Sequence, residues 1–203
     1  MQFKTFILIL FSSLSTIPVL IFAVASPNRI VDPDKYIGAI TKNTSEIDLI
    51  KLYGKKNVKR IEIGVGEGET VDGTVLFMGS RSEIFIEWKK KFTIPGRVSI
   101  HHKNSSWKLK KGIRFGSTLS EVEKINGKPI KITGFEWDYP GRTTSWGKGK
   151  LNSNLQLDFE PRADIPGIEL SKVSGDGSFS SENKIIKKLK LTVKVIYIRW
   201  DLN

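Results

Sequence analysis

The feature that most constrains the fold is a short helix signal at residues 119–126, with a glycine on each side of it. Thr118 precedes it and Glu121 stands three residues later, which is the capping-box spacing, where each side chain hydrogen-bonds the backbone N–H of the other residue. Gly127 favours the left-handed conformation that ends a helix. Three apolar residues share one helical face: Leu119, Val122 and Ile125. A helix this short is unstable alone, so it must pack against another element.

A similar pattern lies 73 residues earlier in the chain. Ser45 and Asp48 stand at the spacing of the later capping pair, and Gly54 takes the place of the later helix-ending glycine. A second pair of segments, residues 84–88 and 155–159, is similar at nearly the same shift, 71 residues. Two matches in the same order indicate a duplicated unit.

Between and after the two helix signals, alternating apolar residues bounded by turn-forming residues predict strands. The expected strands cover residues 60–65, 74–78, 83–88, 97–102, 107–109, 130–139, 151–159 and 185–200, with a long loop at 161–183. The sequence therefore predicts an α+β fold of two tandem units, residues 26–110 and 111–203, each with a short capped helix packed on an antiparallel β-sheet.

The first 25 residues have the layout of a secretory signal peptide. Lys4 precedes an apolar run that ends in Ala23-Val24-Ala25, a small-x-small cleavage site. An uncleaved anchor is the alternative, because about 20 apolar residues are long enough to span a bilayer. The chain has no cysteine, so it has neither disulfides nor a cysteine to carry a lipid anchor. We expect residues 1–25 to be removed and the protein to be exported, periplasmic or secreted.

The chain is basic, with a formal net charge of +12, which invites a nucleic-acid or anionic-surface role. The positive residues are dispersed, however. Lys188, Lys190 and Lys194 would lie on one face of the closing strand, which we interpret as a solvated strand face rather than a phosphate-binding stripe. No recognisable nucleic-acid module accompanies them. We expect no nucleic-acid partner, and membrane contact only through the leader or a weak attraction to anionic surfaces.

A glycine-rich loop at residues 64–68 lacks the third glycine of a dinucleotide-binding fingerprint, and strand-like residues follow it. Three carboxylates crowd it: Glu67, Glu69 and Asp72. They would repel phosphate, so we interpret the loop as a solvated turn, with a cation site left open. His101 and His102 are adjacent in a strand and point to opposite faces, so they cannot easily chelate one metal. The sequence thus predicts no catalytic residue, no metal site and no cofactor.

The second helix signal carries a family resemblance. Its residues read Gly116-x-Thr118-x-x-Glu121-Val122-x-x-x-x-Gly127-x-Pro129. This spacing resembles the SmpA/OmlA family of small outer-membrane assembly lipoproteins, and the tandem helix-and-sheet layout looks like the repeats of beta-lactamase inhibitor proteins. The mature chain also resembles exported bacterial proteins of unassigned function, notably at residues 127–129 and 135–139. The resemblance implies a non-enzymatic binding or assembly-support protein of the cell envelope.

We therefore expect a non-enzymatic interaction or envelope-support protein whose partner is another envelope or secreted protein. Two alternatives stay open. One is a hydrolase that uses Glu67, Asp72 or a paired carboxylate in a cleft. The other is a basic envelope protein that docks on anionic lipid.

An aromatic cluster is the candidate partner-binding surface. Phe135, Trp137 and Tyr139 would share one strand face, and Trp146 lies just beyond the following turn. Tryptophan and tyrosine are frequent interface anchors, because they bury a large area at a low entropic cost. The alternative is that this face packs under the second helix and belongs to the core.

Overall fold

A computed structural model describes residues 28–162 and 170–201 of the 203-residue chain. The expected signal peptide, residues 1–25, lies outside this part, as does the middle of the long loop, residues 163–169. Within the described ranges, no helix combines the length and the apolar character needed to cross a membrane.

The elements follow one another in this order: β1 (Ile30–Asp32), β2 (Tyr36–Ile37), α1 (Glu46–Tyr53), a 3₁₀ turn (Lys55–Asn57), β3 (Val58–Gly66), β4 (Glu69–Leu76), β5 (Ile84–Lys90), β6 (Ile94–Ile100), β7 (Lys108–Leu109), α2 (Leu119–Asn126), β8 (Lys131–Thr133), β9 (Thr143–Ser145), β10 (Leu155–Glu160), β11 (Ser178–Ser180), α3 (Lys184–Lys188) and β12 (Thr192–Arg199).

Strands from both halves of the chain join in one six-stranded antiparallel sheet, in the order β10-β12-β6-β5-β4-β3. Two three-stranded sheets flank it, in the orders β2-β1-β7 and β11-β8-β9. Only β1 and β7 pair in parallel among these strands. The expected α+β class with mainly antiparallel sheets is confirmed.

The six-stranded sheet buries one face against the helices. One row of cross-strand partners on that side is Leu155, Ile198, Val98 and Ile86. All four are at most 2% exposed and belong to the same core as Leu49 of α1 and Val122 of α2. The next row is Gln156, Tyr197, Ser99 and Phe85. Because side chains alternate along a strand, this row points to the other side of the sheet. We call that side the open face.

Both expected capping boxes form. In α2 the Thr118 Oγ1 accepts from the backbone N–H of Glu121 (3.2 Å), and the Glu121 carboxylate accepts from the backbone N–H of Thr118 (2.7 Å). In α1 Ser45 and Asp48 make the same two bonds, at 3.2 and 3.1 Å. Hydrogen bonds from Ser45 hold the pKa of Asp48 below its usual value, and those from Thr118 do the same for Glu121.

Replacing either cap by alanine, Ser45→Ala or Thr118→Ala, should lower the free energy of unfolding by about 1 kcal/mol at neutral pH. The hydrogen bonds that the Asp48 and Glu121 carboxylates accept add a separate contribution, which is present above the usual pKa of these acids and is lost as the pH falls through their lowered pKa values. Urea titration measures both variants. Ser120→Ala, on the exposed side of α2, is the control, and its free energy of unfolding should stay close to that of the wild type. Unchanged midpoints for both cap variants would contradict the assignment.

Two strand predictions were wrong. The expected strand 185–200 begins instead with the helix α3 (Lys184–Lys188) and is a strand only in β12 (Thr192–Arg199). The N-cap of α3, Asn183, accepts from the backbone N–H of Ile185 (2.8 Å). As a result Lys188 and Lys190 do not share a strand face with Lys194, which alone of the three lies in β12. The expected strand 130–139 keeps its strand conformation only in β8, and the expected loop 161–183 includes the short strand β11.

Candidate functional site

A polar cleft of about 280 Å³ lies on the open face of the six-stranded sheet. Its floor comes from β5, β6 and β12, and its walls from β3 and from the loop at residues 138–142. A second depression of about 380 Å³ adjoins it and shares Ile63, Gly64 and His101 with it. Ligand sites commonly occupy about 300–1,000 Å³, so the two together have the size of a binding site.

The first ion pair of the cleft crosses the β5–β6 hairpin. Glu87 and Arg97 are direct cross-strand partners. The arginine donates from Nε to Oε1 at 2.7 Å, and its Nη2 lies 2.7 Å from Oε2. Both side chains are only about one fifth exposed or less (20% and 16%). Such two-point pairing fixes the plane of the guanidinium group.

The second ion pair joins the loop after β8 to β10. Arg142 donates from Nε and Nη2 to the two carboxylate oxygens of Asp158, at 2.8 and 2.9 Å. The Tyr197 hydroxyl donates to the same carboxylate (3.2 Å) and accepts from Arg142 (3.2 Å). Burial, together with the Asp158 charge, raises the pKa of Tyr197 to about 12, so its hydroxyl remains protonated. The three groups form one closed network.

The Tyr197 ring lies between the two arginines. The guanidinium carbons of Arg97 and Arg142 lie 5.5 and 4.9 Å from its centroid, and Arg142 also lies 4.5 Å from the ring centroid of Tyr139. These distances suit cation–π contacts. Strands β5, β6 and β12 and the loop are therefore tied together through one aromatic side chain.

Tyr139 closes one end of the cleft. Its hydroxyl donates to the backbone carbonyl of Val65 in β3, at 3.3 Å, although the residue is 74 positions away in sequence. Gly66 makes this contact possible: its φ is +106°, and a Cβ there would overlap the tyrosine hydroxyl. Gly73 in β4 has a similar role, because a Cβ there would overlap the side chain of Ile63, which lies across the sheet. Two glycines therefore shape the walls.

A histidine and a serine lie at the junction of the two depressions. The His101 Nε2 and the Ser99 Oγ are 2.8 Å apart, and the imidazole meets the rings of Phe85 and Tyr197 edge to face. Ser99 is only 2% exposed, so its hydroxyl is covered. Desolvation lowers the pKa of His101 even though part of the residue is exposed, and the nearby Asp158 charge opposes that shift. The imidazole is therefore neutral at neutral pH.

No protein-family model matches the chain, and no curated protein matches it. Among solved structures, the chain is similar to the uncharacterized protein yfeY from Escherichia coli, with a TM-score of 0.47 and 12% sequence identity. The match covers 82% of this chain and 97% of that one.

The four aromatic residues expected to bind a partner have different surroundings. The prediction that three of them share a strand face was wrong, because the chain leaves β8 at Thr133 and turns. Phe135 and Trp146 are buried in the core, 3% and 9% exposed. Trp137 is half-buried and meets Tyr139 edge to face, with ring centroids 5.5 Å apart. Of the four, only Tyr139 lines the cleft.

The three carboxylates of the acidic loop, Glu67, Glu69 and Asp72, do not form one cluster. Glu67 and Glu69 lie at the β3–β4 hairpin, and Asp72 forms an ion pair with Lys91 at 2.6 Å. In residues 28–162 and 170–201, no three histidine, aspartate or glutamate side chains are grouped to hold a metal ion. His101 and His102 lie just beyond β6, which ends at Ile100, and both line the adjoining depression. The His102 Nδ1 accepts from the backbone N–H of Asn104 (3.1 Å).

Stability should depend on the protonation of His101. A lowered pKa means that the unfolded chain, with a value near 6.5, binds the proton first. The stability that the neutral His101 contributes is therefore fully present above pH 6.5. It is lost as the pH falls from 6.5 through the lowered pKa of His101 in the folded protein. When the pH is lowered from 7.5 to 5.5, the urea midpoint of unfolding should decrease for the wild type and for His102→Gln. It should decrease less for His101→Gln. Identical pH profiles for the three proteins would contradict this role.

Proposed function

We propose that the protein is an exported, non-enzymatic interaction module that recognises its partner through the cleft on the open face. One observation carries the proposal: two arginine–carboxylate pairs are held in fixed orientation around Tyr197, inside a cleft rather than on a flat surface. Ion pairs that are largely removed from water add little net stability, because desolvation offsets their attraction. Clustered charged groups in a cleft are instead typical of functional sites.

The arrangement of acids favours binding over hydrolysis. Glu87 and Asp158 each face an arginine with both carboxylate oxygens, so each acid is already engaged in a two-point ion pair. Glu67 and Glu69 lie on a hairpin and do not face a second acid across a pocket. The Ser99 hydroxyl lies under neighbouring side chains. Glu62 and Glu83 do line the adjoining depression together with His101, so a carboxylate-dependent hydrolase keeps this one point of support and stands as the second candidate.

Export and the tandem organisation belong to the same proposal. The signal-peptide pattern of residues 1–25 supports export, with Ser26 as the first residue of the mature protein. Two capped helices at corresponding positions support the division into units 26–110 and 111–203. The resemblance to SmpA/OmlA and to beta-lactamase inhibitor proteins fits a partner among envelope or secreted proteins. Docking on anionic lipid is less favoured, since the expected lysine stripe does not form.

Two glycines of the β3–β4 hairpin provide a matched test. Gly66 and Gly68 both have left-handed φ values, +106° and +77°, but only a Cβ at Gly66 would meet Tyr139. Gly66→Ala and Gly68→Ala should therefore each cost about 1–2 kcal/mol of stability from backbone strain. Only Gly66→Ala should displace Tyr139 from the end of the cleft.

The measurement is the capture of envelope components on immobilised mature protein. We expect wild type and Gly68→Ala to retain the same components, and Gly66→Ala to retain at least tenfold less. Equal capture by the two variants, or no specific capture by the wild type, would contradict the proposal. Circular dichroism at the assay temperature confirms that both variants are folded.

A further inference from the structure

One edge of the six-stranded sheet has no strand beside it. β3 is the last strand in the order, and within residues 28–162 and 170–201 it pairs only with β4. The edge of a sheet exposes backbone N–H and C=O groups that can pair with another chain, and short edge strands or a proline commonly prevent this. β3 is nine residues long and contains no proline. Its bulge lies near its end, between Gly64 and Gly66, so most of the edge is regular.

The pairing with β4 determines which backbone groups face outward. Just before β3, the N–H of Phe77 donates to the carbonyl of Asn57, at 2.9 Å. Inward and outward groups alternate along an antiparallel strand, so every second residue after Asn57 bonds to β4. The residues between them turn their N–H and C=O groups away from the sheet. These outward residues are Val58, Arg60, Glu62 and Gly64. We call residues 58–64 the β3 edge.

The β3 edge is complementary to a second copy of itself. When two such edges pair antiparallel about a two-fold axis at Ile61, Arg60 of each copy lies opposite Glu62 of the other. The two Ile61 side chains meet at the axis, and Lys59 lies opposite Ile63. The neighbouring registers that also pair the outward groups have their axis at Arg60 or at Glu62, and each places like charges opposite each other. The register centred on Ile61 is therefore favoured.

Both charged side chains are accessible for these contacts. The Arg60 side chain is 64% exposed, and it engages Glu46 through Nε and Nη2, at 2.9 and 2.7 Å, so Nη1 is not used. Its guanidinium carbon lies 3.8 Å from the ring centroid of Phe92, which holds it in position. Glu62 is exposed, and no side chain in the described part of the chain forms an ion pair with it. A second copy would supply that partner from an arginine that needs little reordering.

We propose that the protein forms a two-fold symmetric dimer in which the two β3 edges pair antiparallel and join both six-stranded sheets into one. Each copy contributes the same surface, so the contact closes at two chains. Ile61 lies on the open face, and the open faces of both copies therefore lie on the same side of the joined sheet. The interface of one strand pair is small, so we expect a dimer that dissociates on dilution. This inference is independent of what the cleft binds.

Single cysteines test the register directly, because the natural chain has none. Across the axis the two Cα atoms of residue 61 would lie about 4.5 Å apart, which is within the range that a disulfide spans. Ile63→Cys is the matched control on the same face. Its two copies would lie about 14 Å apart along the strands, too far for a disulfide. Mild oxidation of the mature variants, followed by non-reducing electrophoresis, should give at least tenfold more cross-linked dimer from Ile61→Cys than from Ile63→Cys.

Sedimentation of the cysteine-free mature protein tests the dimer itself. The wild type should shift from monomer to dimer as its concentration is raised. Glu62→Arg places arginines opposite each other at both sites and should weaken dimerisation by at least tenfold. Glu69→Arg makes the same charge change at an exposed position of β4 and should dimerise like the wild type. Circular dichroism confirms that both variants are folded.

Three results would each overturn the inference. The first is a wild type that stays monomeric at every concentration, which would leave the β3 edge to an extended segment of a different protein. The second is equal cross-linking of Ile61→Cys and Ile63→Cys. The third is a folded Glu62→Arg variant that dimerises as tightly as Glu69→Arg.

Discussion

Replacing Asn126 with alanine should lower the free energy of unfolding by about 3 kcal/mol or more. The side chain is 0% exposed at the end of α2. Its Nδ2 donates to the backbone carbonyls of Lys128 and Trp146, both at 2.8 Å, and its Oδ1 accepts from the backbone N–H of Leu151 at 3.1 Å. Each buried backbone group left without a partner costs about 1–3 kcal/mol.

Asn126 also positions a loop, so the substitution should cost more than the lost hydrogen bonds alone. Asn126 holds the chain from Trp146 to Leu151 against the end of the helix, and Gly149 lies so close to its amide that a Cβ would overlap it. Urea unfolding of the mature protein measures the cost. Asn104→Ala, at an exposed loop position, is the matched control and should stay within about 0.5 kcal/mol of wild type. A cost below 1 kcal/mol for Asn126→Ala would contradict the account of this loop.

The second large effect separates two tryptophans of the aromatic cluster. Trp146→Ala should cost about 3–5 kcal/mol, because the indole is 9% exposed, packs in the core and donates to the carbonyl of Leu155 (3.0 Å). Trp137→Ala should cost about 1 kcal/mol, because Trp137 is half-buried and bonds only within its own turn, to the carbonyl of Gly134 (3.1 Å).

Thermal and urea unfolding of the two variants give the comparison directly. Similar losses for both would show that Trp137 belongs to the core, as the alternative interpretation of the aromatic cluster holds. Phe135→Ala, 3% exposed, should behave like Trp146→Ala. The partner-binding prediction thus stays open for Tyr139 and Trp137, while Phe135 and Trp146 are placed where they contribute to stability.

Local signals were enough to predict α1, α2 and the fold class. The capping pairs and terminal glycines of α1 and α2 act over three to eight residues, so the sequence alone specifies them. The α3 helix shows the limit of that approach. Asn183 is a good helix cap, but the alternating lysines and apolar residues that follow it fit a strand equally well. Tertiary packing of Ile186 decides the outcome.

The cleft could not be predicted because its parts meet through tertiary structure. Glu87 and Arg97 depend on the register of the β5–β6 hairpin, and Arg142 meets Asp158 only when a loop lies against β10. Tyr139 meets Val65 of β3, which is the edge strand opposite β10 in the strand order. No spacing rule connects such residues. Opposite charges on two consecutive predicted strands, as for Glu87 and Arg97, are a signal from which part of the cleft could have been found, and the sequence analysis did not use it.

The central claim is that the cleft on the open face is where this protein recognises its partner. Photo-cross-linking in intact cells tests it most directly, with benzoylphenylalanine introduced in place of Asp138, an exposed residue at the rim of the cleft. The same group in place of Ser120, exposed on α2 away from the cleft, is the control. We expect a discrete adduct from position 138 and none from position 120. An adduct from position 120 alone, equal adducts from both positions, or none from position 138 would contradict it.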